Sequence, residues 1–187
     1  MGWRLALLWL VGVVLLSGLM PAKADSQGPS EAQLKAAFLM SFPKYVEWPA
    51  AAFAQTNSPV VLGVLGDDNT AGALEEMIAS THKTVNGHPI MVKRIGSDDD
   101  LTNTCHLLFV GPSERARFGA IVAKVKDAHV LTVSQSEDFL AQGGMINLVP
   151  KDRRLHLEVN LTASSQAHLK IGSALLSVAD VVKGKAN

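Results

Sequence analysis

Val60-Val61-Leu62-Gly63-Val64-Leu65 is apolar at every position and stops at Gly66-Asp67-Asp68. Successive side chains of a strand point to opposite faces of a sheet, so an extended run of this kind has to be covered on both sides. That requirement selects a central strand in a layered α/β fold. The next stretches keep the alternation. Ala71 to Ser80 carries Leu74, Met77 and Ile78 at helical spacing, and Ile90 to Ile95, behind His88-Pro89, reads as a strand. Cys105 to Val110 is another strand. Ser113 then opens a helix to about Lys126 that turns Phe118, Ile121, Val122 and Val125 inward, and Val130 to Val133 follows as a strand. Repetition of strand, helix, strand predicts parallel pairing.

The flanks differ from this centre. Ser30 and Gln33 form a capping box, and Leu34, Ala37, Phe38 and Met40 continue a first helix to about Phe42. Pro43 and Pro49 bracket Lys44 to Trp48 and predict a bend or a short second turn rather than a longer helix. Towards the C-terminus, Ser134 and Glu137 box a helix of about two turns that stops at Gly143-Gly144. Met145 to Val149 and Leu155 to Leu161 then form a hairpin, in which Leu155, Leu157, Val159 and Leu161 alternate with His156, Glu158 and Asn160. A last helix is expected from Thr162 to Val182, with Ala167, Ile171, Ala174, Leu175 and Val178 on one stripe. The expected fold is a three-layer α/β domain: a mixed, mostly parallel sheet flanked by helices, with a C-terminal antiparallel hairpin.

Ahead of this domain, Arg4 is followed by an unbroken apolar run from Leu5 to Leu16 and then by Ala22-Lys23-Ala24. A basic start, a short apolar centre and small residues at the −3 and −1 positions make a secretory signal peptide over residues 1–24, cleaved after Ala24. The run is shorter than the ~20 residues a membrane-spanning helix needs. Residues 25–187 are then one exported domain, long enough for a real core. Of the 17 basic residues, Arg4 and Lys23 lie in the leader, so 15 face 17 acids and the exported charge is about −2. That balance gives no footprint for nucleic acid. The densest acidic cluster, Asp98-Asp99-Asp100, reads as a solvated loop or helix cap.

Chemistry-bearing motifs are sparse. Cys105 is the single cysteine, so no internal disulfide forms in a compartment that would permit one. Its neighbour His106 would point to the opposite face of a strand, which argues against a nucleophile and base and for a buried structural thiol. Asp67 and Asp68 follow the carboxyl end of the first strand, where open α/β sheets place ligands. No matching acid follows the third strand, which reads Val110-Gly111-Pro112, and capping or turn duty is the simpler reading. The six histidines at 82, 88, 106, 129, 156 and 168 form no His-Glu-x-x-His and no close pair in sequence, so neither a metal nor another cofactor is expected. Phosphate-binding glycine loops and a Gly-x-Ser-x-Gly elbow are likewise missing from the sequence. Asn160-Leu161-Thr162 matches a glycosylation acceptor by coincidence at a strand end.

Four stretches in order resemble the YfiR family of bacterial periplasmic proteins: Leu34 to Leu39 running into Phe42-Pro43-Lys44-Tyr45-Val46-Glu47-Trp48-Pro49; Leu62 to Asp68; Gly143 to Leu148; and Leu157 to Leu161 with Leu169-Lys170-Ile171 after it. The resemblance spans nearly the whole exported chain. It implies a compact α/β domain, often a homodimer, that is not an enzyme. Such a domain binds an inner-membrane signalling protein, typically a diguanylate cyclase with a periplasmic sensor. Holding that sensor inactive limits cyclic di-GMP and biofilm formation. A repressor of this kind works only through its differential affinity for the inactive conformation. Relatives with paired cysteines have a redox control that Cys105 alone cannot provide.

Two groups of residues are candidates for binding. Phe42, Tyr45 and Trp48 form an aromatic turn that could anchor a protein partner, or else staple the first helix to the sheet. Arg154, His156, Glu158 and Asn160, with Asn147 on the neighbouring strand, make a polar hairpin face that could hold a small ligand, or else be an ordinary solvated face. Two other functions stay open, a periplasmic small-molecule binding protein without a signalling partner and a hydrolase of unrecognised type. Apolar anchors on a surface favour a regulator, a closed pocket with several polar groups favours a ligand binder, and clustered titratable groups favour an enzyme.

Overall fold

A computed structural model describes residues 28–55, 57–97, 99–151 and 154–182. The leader and its cleavage site lie outside the described residues, as do Asp98 and the Asp152-Arg153 tip of the hairpin. In chain order the elements are α1 (Glu31–Ser41), a 3-10 turn (Phe42–Tyr45), β1 (Val46–Glu47), β2 (Val60–Leu65), α2 (Asp68–Thr81), β3 (Thr84–Val85) and β4 (His88–Ile95). Then come β5 (Leu107–Val110), α3 (Phe118–Val125), β6 (Leu131–Ser134), β7 (Ile146–Lys151), β8 (Arg154–Asn160), α4 (Leu161–Gln166), β9 (Lys170–Ile171), α5 (Ser173–Leu176) and β10 (Ala179–Val182).

Eight strands form one sheet in the order β10-β8-β7-β6-β5-β2-β4-β3, and β1 pairs with β9 in a small antiparallel sheet. The centre is parallel, as expected, and β7–β8 is the expected antiparallel hairpin. Register explains the layers. Val64, Phe109, Val133, Ile146 and Val159 lie side by side across five strands. This apolar row belongs to a core that includes Leu39 and Phe42 of the N-terminal segment, Leu74 of α2 and Leu175 of α5. On the opposite face the adjacent row reads Ile95, Leu65, Val110, Ser134, Asn147, Glu158 and Asp180. Its apolar half packs with Phe118, Ile121, Val122 and Val125 of α3, and its polar half is the hairpin face.

Local chemistry sets the element ends. Ser30 and Gln33 make the expected reciprocal cap of α1. Asp67 caps α2 by accepting from the Thr70 amide at 3.0 Å, so α2 starts three residues before the expected Ala71. Asn86 and Gly87 both take positive φ, 51° and 85°, and the resulting tight turn adds β3 to the edge of β4. Gly111 has no room for a side chain, because a methyl there would strike the Gly66 backbone.

Three expected helices are corrected. Ser113 does not cap a helix; its hydroxyl donates to the Gly66 carbonyl, and a 3-10 segment over Pro112–Arg117 precedes α3. Ser134 is the last residue of β6, with its hydroxyl donating to the Val110 carbonyl at 2.7 Å. The stretch behind it is a series of turns ended by Gly143 at φ 93°, although Phe139 and Leu140 still enter the core. The largest correction is the C-terminal helix. It breaks after Gln166, where His168 turns left-handed at φ 57°; Lys170 and Ile171 pair with β1, and Ala179 to Val182 pair in parallel with β8. Free strand edges at β1 and β8 offered this segment backbone partners that an apolar stripe on an isolated helix does not reveal.

A charged pair ties the N-terminal helix to the sheet. Lys35, 7% exposed, places its Nζ 2.8 Å from Asp67 Oδ2 and 5.7 Å from the centre of the Phe109 ring. Burial pushes the Asp67 carboxyl upward, but hydrogen bonds from Lys35 and Thr70 and the Lys35 charge outweigh it and hold the group below its ordinary 3.8. Lys35→Met leaves this carboxylate with only its Thr70 bonds and is expected to lower unfolding free energy by about 3 kcal/mol in urea denaturation at pH 7. A carboxyl with a lowered folded pKa contributes stability that is full above 3.8 and lost as pH falls through the folded value. The variant should therefore lose less stability than the parent on acidification below pH 4.

Candidate functional site

The aromatic turn divides. Phe42 has no exposed surface and packs 6.1 Å from Phe38, so it belongs to the core and offers nothing to a partner. Tyr45 is half-buried, and its carbonyl accepts from the Gly172 amide at 2.7 Å beside β9. Trp48, also half-buried, donates its indole N–H to the His129 carbonyl at 3.0 Å and meets the His106 ring edge-on at 6.4 Å. Tyr45 and Trp48 thus flank the small β1–β9 sheet, where residues far apart in sequence meet.

Beside Trp48, Ala52, Phe53 and Ser58 are held by histidine rings. Phe53 stacks between His88 and His106, each 4.6 Å away. His88 Nδ1–H donates to the Ser58 carbonyl at 2.6 Å. His106 has both nitrogens committed: Nδ1 accepts from the Val61 amide at 3.1 Å, and Nε2–H donates to the Ala52 carbonyl at 3.1 Å. The ring is therefore neutral in the folded protein, and burial, with the neighbouring His88 charge, holds its pKa below 6.5 despite the Ala52 bond. Cys105 is buried as expected, its thiol pushed up to about 12 by burial. With His106 bound to backbone at both ends, the two do not form a nucleophile and base.

The two amides of the hairpin face are committed to neighbouring groups. Asn147 is 2% exposed; its Oδ1 accepts from the Ser136 amide at 2.9 Å and its Nδ2 donates to Glu158 at 3.2 Å. Asn160, also 2% exposed, caps α4 by accepting from the Ala163 amide at 3.1 Å. Arg154 and His156 are exposed near the hairpin tip. None of the five lines the cavity of about 700 Å³ that opens between α3, the turns before Gly143, and α4. That cavity has Val122, Val125, Met145 and Ala163 on its walls and Lys126 and Gln166 among its polar groups. On its floor the buried Thr132 hydroxyl accepts from the Met145 amide at 3.1 Å. Its lining comes from four separate segments, and only the helical spacing of Val122 and Val125 was visible in sequence.

Two comparisons place the chain among known proteins. Residues 32–180 match the model of the YfiR/HmsC-like family. The chain belongs to that family. Its members are periplasmic regulators of diguanylate cyclases. A solved structure described as a conserved domain protein from Vibrio cholerae O1 biovar El Tor str. N16961 superposes with a TM-score of 0.52 at 13% identity, over 82% of this chain and 60% of that one. The YfiR/HmsC-like chain thus spans about three fifths of that protein, and the likeness is one of fold. No curated protein matches.

The His106 clamp has a pH signature. Protonating Nδ1 removes the acceptor for the Val61 amide, so the folded state resists the proton. Stability from this group is full above pH 6.5 and lost as pH falls through the lowered folded value. A ring-proton NMR titration should place His106 below its ordinary 6.5, and amide exchange at Ala52 and Phe53 should rise as His106 titrates.

Proposed function

We propose that this protein is exported by its leader, cleaved after Ala24, and acts in the periplasm as a non-enzymatic repressor of an inner-membrane diguanylate cyclase, so that it limits cyclic di-GMP and biofilm formation. The observation that carries this reading is the family match over residues 32–180. An open edge adds physical support. Among the described residues β10 pairs only with β8, and it exposes Val181 at 49% and Val182 at 37%, with Val178 at 69% just before it. Exposed valines beside unpaired backbone groups suit either pairing with a second copy or docking on a sensor domain. Tyr45 and Trp48 are the aromatic candidates for the same partner.

A second reading, a small-molecule binding protein, draws on the 700 Å³ cavity, whose size and mixed lining fit a ligand site. The two readings are compatible if the ligand tunes the repressor.

Tagged protein recovered from its host's membrane fraction is expected to retain a cyclase, and deletion is expected to raise cyclic di-GMP. Retention of no membrane protein, with unchanged cyclic di-GMP, would sink the repressor reading. The double substitution Val178→Asp with Val181→Asp should change stability by no more than about 0.5 kcal/mol, because both residues are exposed, yet abolish retention of the partner.

A further inference from the structure

The fold brings together two histidines that lie 39 positions apart in sequence, His129 behind α3 and His168 behind α4. Their ring centres are 5.7 Å apart. His129 Nδ1 lies 3.1 Å from the Ala167 carbonyl. A carbonyl only accepts, so Nδ1 carries the proton and Nε2 keeps its lone pair free. This is the arrangement in metal-binding histidines, where a backbone carbonyl takes one N–H and orients the other nitrogen towards the ion. Both residues hold left-handed backbone, φ 55° and 57°, and the His129 carbonyl is further pinned by the Trp48 indole.

Distance can be checked against coordination chemistry. With metal–nitrogen bonds of about 2.0–2.1 Å, two imidazoles on one ion have ring centres about 4.5–6 Å apart for angles from 90° to somewhat above tetrahedral. The observed separation falls inside that range. His168 is exposed and His129 partly so, which leaves the remaining coordination positions to water. No group of three or more histidine, cysteine or acidic side chains among the described residues could hold a metal, so a closed structural site is not in question.

We infer that His129 and His168 form a two-histidine site for a divalent transition cation of the zinc, nickel or copper type, which when filled clasps the ends of α3 and α4 behind Trp48. It stands apart from the regulatory reading, because it needs no membrane partner.

The test uses untagged protein purified from the periplasm and stripped with chelator. Zinc binding is followed by calorimetry, and copper binding by quenching of Trp48, the one tryptophan outside the leader. One saturable site is expected. His129→Asn and His168→Asn suit left-handed backbone, and each should weaken zinc at least about tenfold, since even an indirect metal contact is commonly worth that much. His82→Asn is the control, because His82 is also left-handed, at φ 48°, but caps α2 elsewhere. It should bind as the parent does. Circular dichroism melting confirms folding, and zinc should raise the melting temperature of the parent and the His82 variant alone. Absence of a saturable site, or one that survives both Asn substitutions, would overturn the inference.

Discussion

Everything in this molecule depends on the two-sided burial of its central strands. Leu62 and Val64 face one core while Leu65 faces the other, and Leu107 and Phe109 are separated in the same way from Leu108 and Val110. A sheet apolar on both faces is unstable until both are roofed, so α1, α2 and α5 on one side and α3 on the other are consequences of the strand composition. Charged Lys35 is tolerated within this arrangement because Asp67 and the face of Phe109 replace the water it gives up.

The polar end of the second face follows from the same register. Across β6, β7 and β8 the row changes from Val110 to Ser134, Asn147 and Glu158. Its buried amides are consumed by their neighbours, Asn147 by Ser136 and Glu158, Asn160 by α4. The groups with most functional freedom lie elsewhere: the β10 edge, the cavity beside α3, and the junction of Trp48, His129 and His168. The β10 edge, and the Gln166 and His168 that complete the other two, come from the segment behind β8.

Much of this was legible in the residues. The parallel centre, the hairpin, the cap of α1, the bend at Pro43 and the buried thiol of Cys105 all came from patterns read in order along the chain. The failures share a cause. Residues 162–182 carry a helical stripe, yet Lys170–Ile171 and Ala179–Val182 became strands because β1 and β8 had open edges for them. Ser134 and Glu137 look like a cap, but Ser134 was already committed to the strand pairing of β6. Asn86-Gly87 was a readable hairpin signal that the apolar pattern overshadowed.

Sequence by itself determined the layered α/β class, because periodicity and punctuation are local properties that act before any long-range contact forms. It also carried the family, through motifs in order along the chain. Tertiary structure alone decided that Phe42 is core while Trp48 bridges to His129, and that Asn147 is spent on Glu158. It alone placed two histidines from different helix ends 5.7 Å apart. Such pairings depend on how the elements stack, and stacking is set by the sum of many weak contacts across the chain, which no short stretch of residues records.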